Sequence, residues 1–347
     1  MTLGRPDELE STVSSLVADH LSPLSGAELS VDRALWERLD ELGFVTVALP
    51  ERLGGSGGNM CDASTVVRAC ALAAVPIMQA AFLAAHLLAA ADITWPGGVV
   101  TATEATEVGI AADGTHLRIR GRIGRVPWLR HADHLVMLIH ERGRPLVAVV
   151  PTSDHVVLRH GRNLAGEPRD DALLTDVAAR AWSPVAATYS DSLAAHGAVG
   201  AASQIAGAAE QAVRSATRHV HEREQFGKPL VAFQAVQHQL AQMAADAAML
   251  RVCSTAAAAA LDDRSRDALL MAASAKVESS LIARRITSAS HQLHGAIGFT
   301  REHHLAAATT RMWSWREEYG SELHWQRKIA ELATDAEYDV WALLTGT

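Results

Sequence analysis

The apolar positions fall into three textures along the chain. Leu9, Val13, Leu16 and Val17 recur at helical spacing, and Leu35, Trp36, Leu39 and Leu42 do so again. This predicts two amphipathic helices, the second running from near Val31 to Gly43. Pro50-Glu51-Arg52-Leu53 then leads into the glycine-dense turn Gly54-Gly55-Ser56-Gly57-Gly58, and an Ala/Leu-rich stretch broken only by Pro76 continues to Ala91. Beyond Trp95 the pattern changes to β-branched runs, Val99-Val100-Thr101, His116 to Arg120, His134 to Ile139 and Leu146 to Val150, with turn residues such as Asp113-Gly114 and Arg142-Gly143 between them. The helical period returns from about Ser190 to Leu344, with breaks at Gly227-Lys228-Pro229, Asp262-Asp263 and Gly295 to Gly298. The expected fold is α+β, mainly α: a helical domain over 1–94, a small β domain over 95–185 and a four-helix bundle over 186–347.

Composition narrows the function. Apolar residues make up 49% of the 347 positions, enough for two or three domains with buried cores. No run of about 18 uncharged apolar residues occurs and the N-terminus lacks a basic, then apolar, leader, so neither a membrane span nor a signal peptide is expected and the cytoplasm is the expected location. Cys61, Cys70 and Cys253 show no metal-ligand spacing and read as reduced, buried thiols. A formal charge of −8 with no basic patch argues against nucleic acid as a partner. The glycine turn at Gly54 to Gly58 lacks a following Lys-Ser/Thr, so it is not a phosphate loop. His291 with His294, and His303 with His304, have no acidic or cysteine partner to complete a metal site, and none is expected. Trp313, Trp315 and Trp325 read as core aromatics or as part of a partner surface.

Two segments carry specific chemistry. Arg223-Glu224-Gln225-Phe226-Gly227-Lys228-Pro229-Leu230, with Phe233-Gln234 behind it, places a planar cationic fork directly after a helix, a geometry suited to pyrophosphate oxygens. Gln292-Leu293-His294-Gly295-Ala296-Ile297-Gly298-Phe299-Thr300 is a turn whose glycines let the backbone approach a ligand closely. Either one alone reads more readily as a solvated charge or an ordinary turn. Together, and with the run Leu35-Trp36, Glu41-Leu42-Gly43, Pro50-Glu51 and Gly54-Gly55, they resemble the acyl-CoA dehydrogenase family over nearly the whole chain. The resemblance implies FAD as cofactor and an acyl-CoA thioester as substrate. It also implies that Arg223, Gln225, Phe226, Gln234, Gln292, His294, Gly295 and Ala296 meet the adenosine-pyrophosphate half of the flavin across a subunit interface, with Ser321 as a further contact.

The departures from the family are as informative. Its chemistry needs a carboxylate to take the α-proton while hydride leaves the β-carbon for the flavin. The usual position for that Glu falls on Tyr319, before Gly320-Ser321, and a second family position falls at about Gly197, where Ser192 to Ala202 holds no carboxylate. Glu317 and Glu318 stand beside the first position, and Glu318 is the candidate base if this chain supplies one. The family's ring-lining stretch has no counterpart; Thr101 to Glu107 occupies its place. What is kept serves a neighbour's flavin and what is lost serves the chain's own. This pattern resembles the shorter, degenerate subunit of actinobacterial heteromeric, steroid-type dehydrogenases, which pair with a paralogous catalytic subunit as α2β2, and the Trp313-Ser314-Trp315-Arg316 run is similar to theirs. A self-sufficient homo-oligomer, an oxygen-using flavoenzyme relative and a silent scaffold subunit stay open at this point.

Overall fold

The computed structural model describes residues 6–20, 29–113, 116–141, 143–186, 189–263, 267–300 and 304–334. Gly114, Arg142, His303 and Leu344, named above, lie outside the described residues. The N-terminal layer holds α1 (Pro6–Val17), α2 (Arg33–Glu41), α3 (Met60–Ala69) and α4 (Ala85–Ala91). Asp32 starts α2 by accepting from the Leu35 N–H, and Gly43, at φ +76°, lets the chain turn away after it. Asn59 and Asp62 form a reciprocal capping box on α3. The Ala/Leu-rich stretch to Ala91 is not one helix. It stops at Cys70 and restarts beyond Pro76, and the segment Gln79–Ala84 is π-helical, a geometry that is rare and often found at functional sites.

The middle of the chain is a β sandwich. Its strands are β1 (Val100–Ala105), β2 (Glu107–Asp113), β3 (His116–Pro127), β4 (His134–Glu141), β5 (Arg144–Pro151), β6 (His155–Arg159), β7 (Arg169–Ala178) and β8 (Ala181–Pro184). One sheet runs β1-β4-β5-β8 and the other β2-β3-β7-β6. Among the described strands only β1 and β4 pair in parallel, with Val100 opposite His134; the other neighbours are antiparallel. Leu135, Met137, Ile139, Ala148 and Val150 face the core between the sheets, while Val136, Leu138, Val147 and Val149 face the helical core. Both faces of β4 and β5 are buried, which is why they read as continuous apolar runs and not as alternating ones.

The last part is α-helical: α5 (Tyr189–Glu222), α6 (Gln234–Asp262), α7 (Ala268–His294), α8 (His304–Glu317) and α9 (Glu322–Thr334). Between α5 and α6 lies a small hairpin, β9 (Glu224–Gln225) with β10 (Lys228–Pro229). α5 to α8 form the bundle around Ile205, Met243, Leu250, Ile286, Met312 and Trp315, and α9 adds a fifth helix whose Trp325 reaches the larger helical core. The stack of His219 on His294, with ring centroids 4.6 Å apart, shows that α5 and α7 finish at the same end of the bundle. Lys276, fully buried on α7, donates to the carbonyls of Trp315 and Arg316 at 3.0 and 2.8 Å and so caps the C-terminus of α8, where a cation is favoured. Burial pulls its pKa down to about 8, against Glu318 and Glu317, which favour the charged form. Of the three thiols only Cys70 is buried; Cys61 and Cys253 are half-exposed, a correction to the sequence expectation.

Candidate functional site

The residues singled out from the sequence gather at two ends of α5. At its C-terminal end, Gln225-Phe226-Gly227-Lys228 closes the β9–β10 hairpin with φ +54° at Phe226 and +80° at Gly227. Positive φ at both central residues is the two-residue turn whose twist matches the flanking strands. A non-glycine residue held there is strained, and Phe226 is nonetheless 90% exposed, its ring edge-on to Phe233 at 6.1 Å. Arg223 and Gln225 are exposed on the same hairpin, as is Gln234 at the start of α6. The Arg223 guanidinium makes no ion pair with a described residue.

The second motif meets the first at this end. Gly295 has φ +62° and open space where a side chain would stand, and Gln292 and Ala296 are exposed beside it. His294 points inward: its Nδ1 bonds the Ser290 carbonyl at 2.7 Å, its Nε2 lies 3.2 Å from the Ser215 hydroxyl, and burial lowers its pKa. It therefore fixes the turn against α5, and His219, one helical turn before Arg223, completes the contact. The described residues thus offer one exposed face carrying a cation, an aromatic ring and a close-approach turn. That set fits the anionic, flat-ended half of a dinucleotide.

The other end of α5 holds a cavity of about 390 Å³ between the three domains. Leu83, Thr103, Glu104, Arg125, Leu193 and the turn from Glu317 to Gly320 line it. Leu193 lies near the start of α5 and Arg223 directly follows its last residue, thirty positions later, about 45 Å at 1.5 Å per residue. The α8–α9 turn is tightly fixed: Tyr319 at φ +55° and Gly320 at +94° bend the chain, and the Trp325 indole donates to the Tyr319 carbonyl at 2.8 Å. Ser321 accepts from the His324 N–H at 3.4 Å and opens α9, half-buried away from the hairpin end. The Tyr319 ring packs on Gly197, its hydroxyl lies 3.4 Å from Gln79 of the π-helical segment, and burial pushes its pKa up to about 12.

Glu318 stands at the cavity wall with Arg169, its carboxylate held in a largely buried network. Arg169 grips it with Nε at 3.0 Å from one carboxylate oxygen and Nη2 at 2.6 Å from the other, and Asn163 adds a bond of 3.0 Å. Arg169 also holds Glu167 at 3.0 Å, and Glu167 accepts from the Trp315 indole at 3.0 Å. Burial opposes the charge on Arg169, but Glu318 and Glu167 outweigh it and raise its pKa. The network ties the β domain's 161–169 loop to α8. Sequence reasoning missed Asn163, Glu167 and Arg169, which no local pattern marks, and Arg125, whose φ of +53° in a strand is also silent in the sequence. Trp315 and Trp325 are buried, whereas Trp313 is 39% exposed under the Arg316 guanidinium. Among the described residues no cluster of three His, Cys, Asp or Glu could hold a metal ion.

Comparison with known proteins agrees with this architecture. The profile of the acyl-CoA dehydrogenase N-terminal domain matches residues 6–97 and that of the C-terminal domain residues 188–331. Acyl-CoA dehydrogenase IpdE2 of Mycobacterium tuberculosis is 26% identical over 86% of this chain and 87% of its own length. Among solved structures, the ChsE4-ChsE5 complex of Mycobacterium tuberculosis contains a chain with TM-score 0.83 and 22% identity, covering 97% of this chain and 99% of that one. The Tcur3481-Tcur3483 steroid ACAD contains another, with TM-score 0.83 and 24% identity over 96% and 98%. With its N-terminal helices, central sandwich and C-terminal bundle in the family's order, the chain belongs to the acyl-CoA dehydrogenases, flavin-dependent oxidoreductases that act on a CH–CH bond of an acyl-CoA.

Proposed function

We propose that this chain is the shorter subunit of a heteromeric acyl-CoA dehydrogenase and completes the FAD site of a paralogous catalytic subunit in an α2β2 assembly. The observation that carries the reading is the separation along α5. The exposed face of Arg223, Phe226, Gln292, Gly295 and Ala296 lies about 45 Å from this chain's own cavity, farther than one extended flavin dinucleotide reaches. A flavin touched by Arg223 therefore has its ring in another subunit. Arg223 pairs with the pyrophosphate, Phe226 covers the adenosine side, and the Gly295 backbone approaches the phosphates. The bound flavin supplies the hydride acceptor, and the carboxylate that takes the α-proton belongs to the partner, since Tyr319 and Gly197 occupy both family positions here and Glu318 is bound by Arg169. A substrate with a bulky or polycyclic acyl group is supported by the similarity to the steroid ACAD structure.

The test is to purify the chain alone and with its paralogous subunit. The chain alone is expected to show no flavin absorbance and no dye reduction with acyl-CoA, and the pair to carry one FAD per two unlike subunits. Near-stoichiometric FAD with turnover from the chain alone would make it a self-sufficient enzyme and refute the proposal.

A further inference from the structure

We infer that dinucleotide binding at the hairpin end takes up one proton, carried by the imidazole of His219, which stands beside Arg223 as a second contact to the pyrophosphate; the inference rests on the function proposed above. The Arg223 N–H donates to the His219 carbonyl at 2.9 Å, so the helical path of α5 runs on through Arg223. Residues four apart on such a path share one face, which sets the His219 ring and the Arg223 guanidinium side by side. His219 is half-buried, with its ring stacked on His294 at 4.6 Å and the two planes 22° apart. His294 is clamped: its Nδ1 donates to the Ser290 carbonyl at 2.7 Å, which leaves Nε2 to accept from the Ser215 hydroxyl at 3.2 Å. It is a fixed, neutral platform under His219. No described residue hydrogen-bonds to the His219 ring, and its two nitrogens are left for a ligand.

Charge sets the coupling. Burial lowers the His219 pKa, His294 and Arg223 lower it further, and Glu222, the one described acid acting on it, raises it. On α7, His291 and His294 are themselves lowered by burial, His294 also by Arg218. On β10, Lys228 is drawn over the Phe233 ring, 4.3 Å from its centroid. With its pKa below the ordinary 6.5, His219 is neutral at pH 7 in the free subunit. The balance inverts beside an anionic diphosphate: opposite charge within about 4–6 Å favours the imidazolium, which donates from both nitrogens. Because the ligand raises the pKa, it is bound with proton uptake. FAD affinity is therefore highest at acid pH and falls as pH rises through the window between the free and bound values.

The test is calorimetric. The assembled two-subunit enzyme, stripped of flavin, is titrated with FAD from about pH 5.5 to 8.5 in buffers of different ionisation heat, which gives both Kd and the protons taken up. The wild type should take up a proton inside the window, where Kd should rise by up to about tenfold per pH unit. His219→Gln, which keeps an amide donor but does not titrate, should bind FAD with no uptake and a flat Kd. His219→Phe, which keeps the stack but no donor, should be flat too and about tenfold weaker at pH 6. Glu222→Gln, on the exposed surface, should move the window to lower pH, a check that leaves His219 and its packing in place. Wild-type binding without proton uptake, uptake that persists in an assembled His219→Gln complex, or a window that Glu222→Gln does not move would overturn the inference. The function proposed above fails separately, through unchanged FAD affinity in an intact Arg223→Ala complex.

Discussion

The ring of Tyr319 lies against Gly197 so closely that a methyl group placed on the glycine would sit 2.6 Å from Cδ1. The two positions at which the family resemblance leads one to expect a base thus meet in space, one without a side chain and the other filling the room beside it. Gly197→Ala is expected to destabilise the chain by about 1–3 kcal/mol through overpacking, outweighing the roughly 1 kcal/mol an alanine otherwise gains inside a helix. A double-mutant cycle with Tyr319→Ala, read by urea midpoints, should show the penalty vanish when the ring is removed. Additive effects would mean that the two residues do not compete for space.

The grip of Arg169 on Glu318 makes a second prediction. Glu318→Gln leaves a buried guanidinium with Glu167 as its remaining acidic partner, and stability should fall by about 3 kcal/mol, the lower end for a broken buried pair. Turnover of the assembled enzyme should stay within a few-fold. A loss of about 10²-fold or more, the scale of general-base removal, with assembly and flavin content intact, would instead make Glu318 the base.

Acid should weaken the start of α5. His196 is 5% exposed, stacks on His86 at 3.7 Å, and donates from Nδ1 to the Ser192 carbonyl at 2.7 Å; burial lowers its pKa to about 4. The unfolded chain binds this proton near pH 6.5 and the folded chain only near pH 4, so stability contributed by the neutral ring is present above pH 6.5 and is lost as pH falls toward 4. Thermal midpoints of His196→Phe across that range should fall less steeply than those of the wild type. Parallel curves would assign the acid sensitivity elsewhere.

Phe226 should show opposite signs for stability and function. Phe226→Gly relieves a positive φ at an exposed turn, so the chain should keep or gain up to about 1 kcal/mol. Flavin retention by the assembled enzyme should drop if the exposed ring covers the adenosine side as proposed. Denaturation of the chain and flavin release on dilution of the complex measure the two effects; a stability loss without flavin loss would make Phe226 a structural residue.

How much of this was legible in the sequence follows from how local each signal is. The break in the helical pattern at Gly227-Lys228-Pro229, the turn at Gly295 and the three-part order of elements depend on neighbours within a few residues, and the sequence displays them; that the break is a hairpin is visible only in the structure. The parallel pairing of β1 with β4, the contact of Gly197 with Tyr319 and the capture of Glu318 by Arg169 join residues more than thirty positions apart. No periodicity encodes them. His294 was legible as part of the turn but not as its inward anchor, because that role depends on Ser215 and His219 from another helix. The break at Cys70 was hidden by an alanine-rich composition that suits a helix at every position.

Arg223 tests the central claim most directly. If its guanidinium pairs with the pyrophosphate of a flavin whose ring lies in the partner subunit, Arg223→Ala removes a charge-assisted hydrogen bond worth about 1.5–3 kcal/mol. FAD titrated into the apo complex should then bind roughly 10- to 150-fold more weakly, with Arg223→Lys recovering part of the loss because it keeps the charge but not the fork. Size exclusion confirms that both subunits remain assembled. Unchanged FAD affinity in an intact Arg223→Ala complex would contradict the account.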